Sequence, residues 1–243
     1  MINDKLQDNI RSICSASHEA FALRKQQNPS EHDSKLTILA ATKGVPAATI
    51  NQAAEYGITD IGENRVQELL AKYDQLNPQL NVHFIGKLQT NKVKYIIDKV
   101  CLIHSVDSSR LAHEINRQAQ KHNLVMNVLI EINIGAEETK SGILPAELPA
   151  LLDEIEQMER VRVCGLMTMA PICEEKDDYL KYFRQTHQIH LDFFAKKAYN
   201  IEIGNNLSIQ PPILSMGMSD SYLQAIECGA NLVRVGSAIF KGI

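Results

Sequence analysis

Tryptophan is absent from this sequence and aromatic residues make up only 5% of it, so the core must consist mainly of aliphatic side chains. Hydrophobic residues account for 44% and charged residues for 22% of the 243 residues, which is ordinary for a globular protein. A chain of this length can bury one large core or two smaller ones. Composition therefore predicts a packed globular protein, and the order of elements along the chain has to decide the number of domains.

Several classes of function lack their usual sequence signals. No apolar segment approaches the ~20 residues that span a bilayer, and the N-terminus has no continuous apolar core of a signal peptide. The net charge of −4 and the lack of a long basic run argue against nucleic acid as a partner. The five cysteines are scattered without a CxxC pair, which favours reduced thiols over disulfides or a zinc site. We therefore expect a cytoplasmic protein that binds neither nucleic acid nor membrane.

The chain opens with a helical pattern over residues 3–27, in which Leu6, Ile10 and Ile13 recur at helical spacing. After it, short β-rich runs alternate with amphipathic helical patterns. The strand candidates are LTILAAT, ITDIG, NVHFIG, VCLIHSVD, VMNVLIEINI, VRVCGLMTM, PILSMG and NLVRVG. Roughly eight strand–helix units in a chain of this length match a (β/α)8 barrel.

A doubly wound open sheet shows the same alternation and is the main structural alternative. The number of units and the lack of a GxGxxG motif after the first strand favour the barrel. No linker rich in proline, glycine or serine divides the chain. We therefore predict an α/β fold, a single (β/α)8 TIM-barrel domain over residues 1–243 with an extra N-terminal helix.

In such a barrel, the loops after the strands build the functional site. Lys43 follows the first predicted strand. The last two strands lead into SMGMSDS and VRVGSAIF, which place Ser219, and then Gly236 and Ser237, at the starts of helices. Exposed backbone N–H groups and the helix dipole favour an anion there. The two loops together predict a phosphate site, although each one alone fits a plain helix cap or a tight turn.

A lysine facing a phosphate site across the barrel mouth suggests a Schiff base with a phosphorylated aldehyde or ketone. Burial near other cations would lower the pKa of the Lys43 amine, so that some neutral, nucleophilic amine exists near pH 7. Pyridoxal 5′-phosphate (PLP) and sugar-phosphate ketoses both fit this description. A solvated loop lysine is the plain alternative.

Eight motifs carry a resemblance to a known family: ATKGVP, GENRVQE, HFIGKLQTNK, HSVD, NIGAEETKSG, GLMTMAP, SMGMSDS and VRVGSAIF. In this order and spacing they resemble the pyridoxal phosphate homeostasis proteins, which look like the barrel domain of alanine racemase standing alone. The resemblance covers essentially the whole chain. The positions that match the family's cofactor-binding residues are Lys43, Asn64, Met218, Ser219, Arg234, Gly236 and Ser237.

The resemblance implies a role for each of these residues. Lys43 matches the lysine that forms the Schiff base with PLP, and Arg234 matches the arginine that approaches the pyridine nitrogen. The positions around Ser219 and Gly236 match those that hold the phosphate, and Asn64 matches a polar residue that lines the pocket. The chain departs from the family pattern twice, with Ser221 where aspartate is usual and Lys241 where glycine is usual.

The implied function is intracellular PLP homeostasis, in which a monomeric carrier or buffer supplies PLP to apoenzymes without efficient amino-acid turnover. A guanidinium at Arg234 cannot accept the proton that would make PLP a strong electron sink. Racemisation also needs an acid/base group on each face of the substrate. Alanine racemase has a further β-domain, whereas only SAIFKGI follows the last predicted strand here. A PLP-dependent racemase or lyase, and a class I aldolase acting through Lys43, are the alternatives.

The histidines and one loop lysine have plainer interpretations. His83 and His104 lie within predicted strands, where hydrogen-bonded barrel histidines are expected. His187 and His190 are expected on an exposed helix face, and without HxH or HExxH motifs no metal site is predicted. Lys140 in EETKSG is interpreted as part of a charged loop, with a secondary PLP-capture site as its alternative.

Overall fold

The predicted strand runs form a closed barrel of parallel strands. The structure is a computed structural model that describes residues 2–28, 35–194, 199–203, 206–210 and 212–243. The ten strands are β1 (Thr37–Ala41), β2 (Asp60–Glu63), β3 (Asn81–Phe84), β4 (Leu102–Val106), β5 (Met126–Ile132), β6 (Val161–Thr168), β7 (Tyr199–Ile203), β8 (Asn206–Gln210), β9 (Ile213–Ser215) and β10 (Leu232–Val235). The barrel order is β1-β10-β9-β6-β5-β4-β3-β2, and every pair in it is parallel. The barrel prediction is confirmed.

Helices cover the outside of the barrel. They are α1 (Ile2–Gln27), α2 (Ala47–Glu55), α3 (Val66–Lys72), α4 (Ser109–Lys121), α5 (Leu148–Glu156), α6 (Asp178–Phe194), α7 (Tyr222–Glu227) and α8 (Ser237–Phe240). A 3-10 helix over Thr90–Tyr95 takes the place of an α-helix after β3. The predicted extra helix, α1, packs against α7 and α8. Because α8 is a single turn, α1 supplies apolar cover that this last unit lacks.

Apolar side chains fill two layers because successive residues of a strand point to opposite faces. One layer lies between the strands and the helices and includes Ala40, Ile61 and Val233. The other is a smaller cluster inside the barrel. Its buried members are Leu39, Ile85, Leu102, Leu129, Cys164, Met167, Ile213 and Leu232. Both layers are predominantly aliphatic, as the composition predicts.

Strands β7 and β8 are not among the strands predicted from the sequence. They pair with each other in antiparallel fashion, from Tyr199 opposite Gln210 to Ile203 opposite Asn206, and are not part of the barrel. In the sequence, apolar residues alternate on both sides of Gly204 and Asn205, which is a hairpin pattern. A hairpin does not belong to the strand–helix repeat from which the barrel is predicted.

The cysteine and histidine predictions have mixed outcomes. All five cysteines are free thiols, and Cys164 and Cys228 are buried. His83 and His104 are buried and hydrogen-bonded within the barrel, as expected. His190 was expected on an exposed helix face and this is wrong, because α6 turns it inward, where it stacks on Phe194. Among the helices in the described ranges, none is long and apolar enough to span a membrane.

The buried position of His190 makes the stability of the fold depend on pH. Burial lowers the pKa of His190 from 6.5 to about 4, with His187 adding to the effect and the Pro212 carbonyl opposing it. The unfolded chain therefore binds more protons between these two values, so this contribution is complete above pH 6.5 and is lost as the pH falls toward 4. We expect wild type to lose up to about 3 kcal/mol of unfolding free energy in this window.

Urea unfolding from pH 7 to pH 4 measures this loss. His190→Leu removes the titrating group and should flatten the pH dependence. The exposed His113 on α4 is the matched control, and His113→Gln should keep the wild-type slope. An unchanged slope in His190→Leu would show that other groups cause the dependence.

Candidate functional site

One cavity of about 850 Å³ opens at the carboxyl ends of the barrel strands, and all seven predicted site residues line it. They are Lys43, Asn64, Met218, Ser219, Arg234, Gly236 and Ser237. The rest of the lining is Ala41, Val45, Ile85, Met169, Asp220, Ala238, Phe240 and Lys241. Lys140 is not part of this lining. The volume lies in the range of small-molecule and cofactor sites.

Lys43 lies in the turn that follows β1, where Gly44 adopts a left-handed conformation with φ of 71°. The Gly44 N–H donates to Glu68 Oε2 at 3.1 Å, which holds the turn against α3. The side chain of Lys43 is exposed at the cavity mouth. The expectation that it is buried among cations is therefore wrong, because β1 ends at Ala41, the chain stays buried at Thr42, and the turn that begins at Lys43 is exposed.

Backbone N–H groups converge on the Ser219 hydroxyl at the end of β10, the strand that pairs with β1. Gly236 N–H and Ala238 N–H both donate to Ser219 Oγ, each at 3.2 Å. A Cβ at Gly236 would lie 3.0 Å from the Ala41 carbonyl oxygen, so a larger residue does not fit there without displacement. The two N–H groups thus point at one small region, in which the Ser219 oxygen accepts from both of them, and paired backbone donors of this kind favour an anion.

Ser221, the first departure from the family pattern, closes the turn before α7. Its hydroxyl accepts from the Met218 N–H at 3.3 Å, and its own N–H donates to the Met218 carbonyl at 2.9 Å. A serine oxygen therefore makes a hydrogen bond that an aspartate could also accept. Lys241, the second departure, lines the cavity and adds a cation to it.

Arg234 on β10 is almost fully buried, yet it reaches the cavity wall. Its Nη1 donates to Ser215 Oγ at 2.6 Å and its Nη2 donates to the Thr168 carbonyl at 2.9 Å. Burial lowers the pKa of Arg234 to about 10, while Glu131 on β5 acts in the opposite direction. The guanidinium is therefore cationic at neutral pH and fixed by two hydrogen bonds.

Lys72, which is not among the residues predicted from the sequence, holds the backbone on both sides of Lys43. Lys72 is buried, and its Nζ donates to the carbonyls of Thr42 at 3.0 Å and Val45 at 3.1 Å. It also pairs with the buried Glu63 at 2.7 Å, and Thr42 Oγ1 donates to the same carboxylate. Burial raises the pKa of Glu63, against the opposing effect of the Lys72 and Thr42 hydrogen bonds. No spacing rule in the sequence connects α3 to this turn.

The residues fit PLP better than a metal ion. An exposed amine, a convergent set of N–H donors and a buried guanidinium in one cavity match the aldehyde, phosphate and ring nitrogen of that cofactor. In the part of the chain that the structure describes, no group of three or more His, Cys, Asp or Glu side chains is arranged to hold a metal.

The barrel matches the family described as "Alanine racemase, N-terminal domain" over residues 4–243. Alanine racemase of Clostridium difficile 630 shares the fold, with a TM-score of 0.71 at 15% identity over 96% of this chain and 56% of that chain. Fold and family model thus define a barrel of the alanine racemase class.

Two relatives of higher sequence identity show which family within this class the chain belongs to. A pyridoxal phosphate homeostasis protein of Aquifex aeolicus (strain VF5) is 44% identical over 204 residues, which are 84% of this chain and 85% of that protein. PipY of Synechococcus elongatus PCC7942, in a structure with PLP bound, has a TM-score of 0.72 and 30% identity over 90% of this chain and 99% of that chain. The chain therefore belongs to the pyridoxal phosphate homeostasis protein family, which confirms the resemblance read from its motifs.

The Lys72–Glu63 pair yields a stability prediction. Lys72→Met leaves the Glu63 carboxylate buried without its cation and frees two carbonyls beside Lys43. We expect it to lower the free energy of unfolding by about 3 kcal/mol, as for other buried pairs that lose one partner. Urea denaturation measures the change.

Two further variants test this explanation. Adding Glu63→Gln to Lys72→Met removes the buried charge and should restore part of the loss. The matched control is Lys99→Met, since the pair of Lys99 with Asp98 lies near the surface and should contribute no more than about 1 kcal/mol. Equal losses in Lys72→Met and Lys99→Met would contradict the prediction.

Proposed function

We propose that this protein binds PLP in the cavity and acts in PLP homeostasis, as a carrier or buffer that does not turn over amino acids efficiently. The observation that carries the proposal is the single cavity that joins Lys43, the Ser219–Gly236 donor set and Arg234. The PLP-bound relative of similar fold and the homeostasis relative support the same ligand.

In this proposal, Lys43 captures the cofactor covalently. When bound, PLP supplies an aldehyde that an amine can capture and a pyridine ring that can withdraw electrons when its nitrogen is protonated. Lys43 would hold the aldehyde end of PLP through its amine, as a Schiff base formed with release of water. Because Lys43 is exposed at the mouth, water or an acceptor amine can reach this bond, which suits reversible release.

The other site residues are proposed to hold the phosphate and to orient the ring of the cofactor. Ser219, Gly236 and Ser237, with the backbone of Met218, receive the phosphate, and their convergent N–H groups favour its negative charge. Asn64 lines the pocket beside Lys43. Arg234 would hold the ring nitrogen as a hydrogen-bond donor, and a guanidinium does not accept a proton from it. This arrangement weakens the chemistry that a racemase or lyase needs, and for that reason we assign no catalytic residue.

We also propose the setting in which the protein acts. It is one PLP-binding domain over residues 1–243, a monomer in the cytoplasm, and PLP-dependent apoenzymes receive its cofactor. Five free thiols suit a reducing compartment.

Covalent capture by Lys43 can be tested with borohydride. Protein incubated with PLP, reduced and digested should carry a phosphopyridoxyl group on the peptide that contains Lys43, detected by mass spectrometry. Lys43→Arg keeps the charge but removes the nucleophile, so it should lose this adduct. Lys140→Arg is the matched control for an exposed lysine and should keep it. PLP-loaded wild type without a modified Lys43 would refute the proposed site.

The lack of turnover is tested separately. Wild type saturated with PLP should convert L-alanine, L-lysine or D-alanine no faster than about 0.01 per second, well below ordinary enzyme rates. Chiral chromatography of the amino acids detects racemisation, and evolved CO2 detects decarboxylation. Turnover at ordinary enzyme rates, absent from Lys43→Arg, would favour a racemase or lyase.

A further inference from the structure

A chain of buried polar side chains crosses the barrel interior and ends on Arg234. Its members are Asp60 on β2, His83 on β3, His104 on β4, Ser215 on β9 and Arg234 on β10. His83 Nε2 lies 3.0 Å from Asp60 Oδ1, and His83 Nδ1 lies 3.0 Å from His104 Nε2. His104 Nδ1 lies 3.1 Å from Ser215 Oγ, which accepts the 2.6 Å bond from Arg234.

Because these polar side chains are buried, bulk water does not compete for their hydrogen bonds. His83 is 1% exposed, His104 and Ser215 are 0% exposed and Arg234 is 4% exposed. The contact between His104 and Ser215 joins strands that are not neighbours, with β5 and β6 between them in the barrel order. A buried polar network that is fully paired restricts its members to one geometry. The side chain that this geometry places at the cavity is Arg234.

Asp60 is the acceptor at the far end of this network. It also accepts from Thr59 and Asn81, and these bonds and His83 outweigh burial and lower its pKa, so it is ionised. His83 Nε2–H therefore donates to Asp60. Burial opposes a charge on His83, whereas its hydrogen bond to the ionised Asp60 favours one and raises its pKa. The other ring nitrogen, Nδ1, makes the hydrogen bond with His104 Nε2.

His104 is neutral, because burial, with the positive charges of His83 and Arg234, lowers its pKa well below 6.5. Its two ring nitrogens make two hydrogen bonds, Nε2 with His83 and Nδ1 with Ser215 Oγ. Ser215 Oγ also accepts from Nη1 of Arg234, since a guanidinium can only donate. Ser215 is therefore held between His104 and Arg234, and this contact anchors Nη1 of Arg234.

We infer that Ser215 and His104, with His83 and Asp60 behind them, are positioning residues that hold the Arg234 guanidinium toward the ring nitrogen of the cofactor. The inference rests on the proposed function, because it presumes that PLP occupies the cavity. Each terminal nitrogen of Arg234 has a second N–H beyond the one bound to Ser215 or Thr168. The two anchors set the direction of these remaining donors. Loss of the Ser215 anchor leaves only the Thr168 carbonyl, around which the guanidinium can turn.

A pair of ligands separates this role from a merely structural one. PLP has a ring nitrogen, whereas its 1-deaza analogue has C–H in that position and keeps the aldehyde and the phosphate. Ser215→Ala removes the hydroxyl, and Ser215→Thr keeps it as the conservative rescue. We expect Ser215→Ala to weaken PLP binding by about 10-fold, the effect of losing one hydrogen bond to a charged group, and to leave the affinity for the analogue unchanged. Ser215→Thr should restore PLP affinity to near the wild-type value.

Absorbance titration with each ligand gives the dissociation constants, and thermal unfolding confirms that each variant is folded. Equal weakening of both ligands by Ser215→Ala would show a general structural role and overturn the inference, as would no change for either. His104→Gln, which disturbs the chain one step further back, should also affect PLP alone. Wild type that binds neither ligand would refute the proposed function itself, which distinguishes that failure from a failure of the positioning role.

Discussion

A buried guanidinium inside a closed barrel is the constraint on which the rest of this site depends. Arg234 is desolvated, and a charge in that position is tolerated only where hydrogen-bond partners replace water. Ser215 and Thr168 provide these partners, and Ser215 in turn is held by His104. The polar side chains inside the barrel therefore stabilise the cation that lies at the cavity wall.

A second buried cation organises the turn that carries Lys43. Lys72 binds the carbonyls before and after Lys43 and is balanced by Glu63. Lys72 thus holds the backbone of the turn, while the side chain of Lys43 is exposed at the cavity mouth. The arrangement fixes the backbone position of Lys43 without enclosing its amine.

Much of the fold could be predicted because it follows from local patterns. Alternation of apolar strands with amphipathic helices predicts a barrel, and the carboxyl-end rule places Lys43, Ser219 and Gly236 at one mouth. Burial is harder to predict, because it depends on which way an element is rotated. The inward turn of His190 and the outward turn of Lys43 both arise from packing between elements that are distant in sequence. The β7–β8 pair has a local signal, but it lies outside the repeat that organises the chain.

The sequence by itself determined the class of fold, the family and seven of the residues that line the cavity, because motifs and strand ends are local in the chain. Only the tertiary structure decided how those residues are held. The pairing of Lys72 with the turn at Lys43 joins residues 30 positions apart, and the contact of His104 with Ser215 joins residues 111 apart. The contact of His104 with Ser215 exists only once the barrel closes, since closure brings side chains of the non-neighbouring strands β4 and β9 within hydrogen-bonding distance in an interior from which water is excluded.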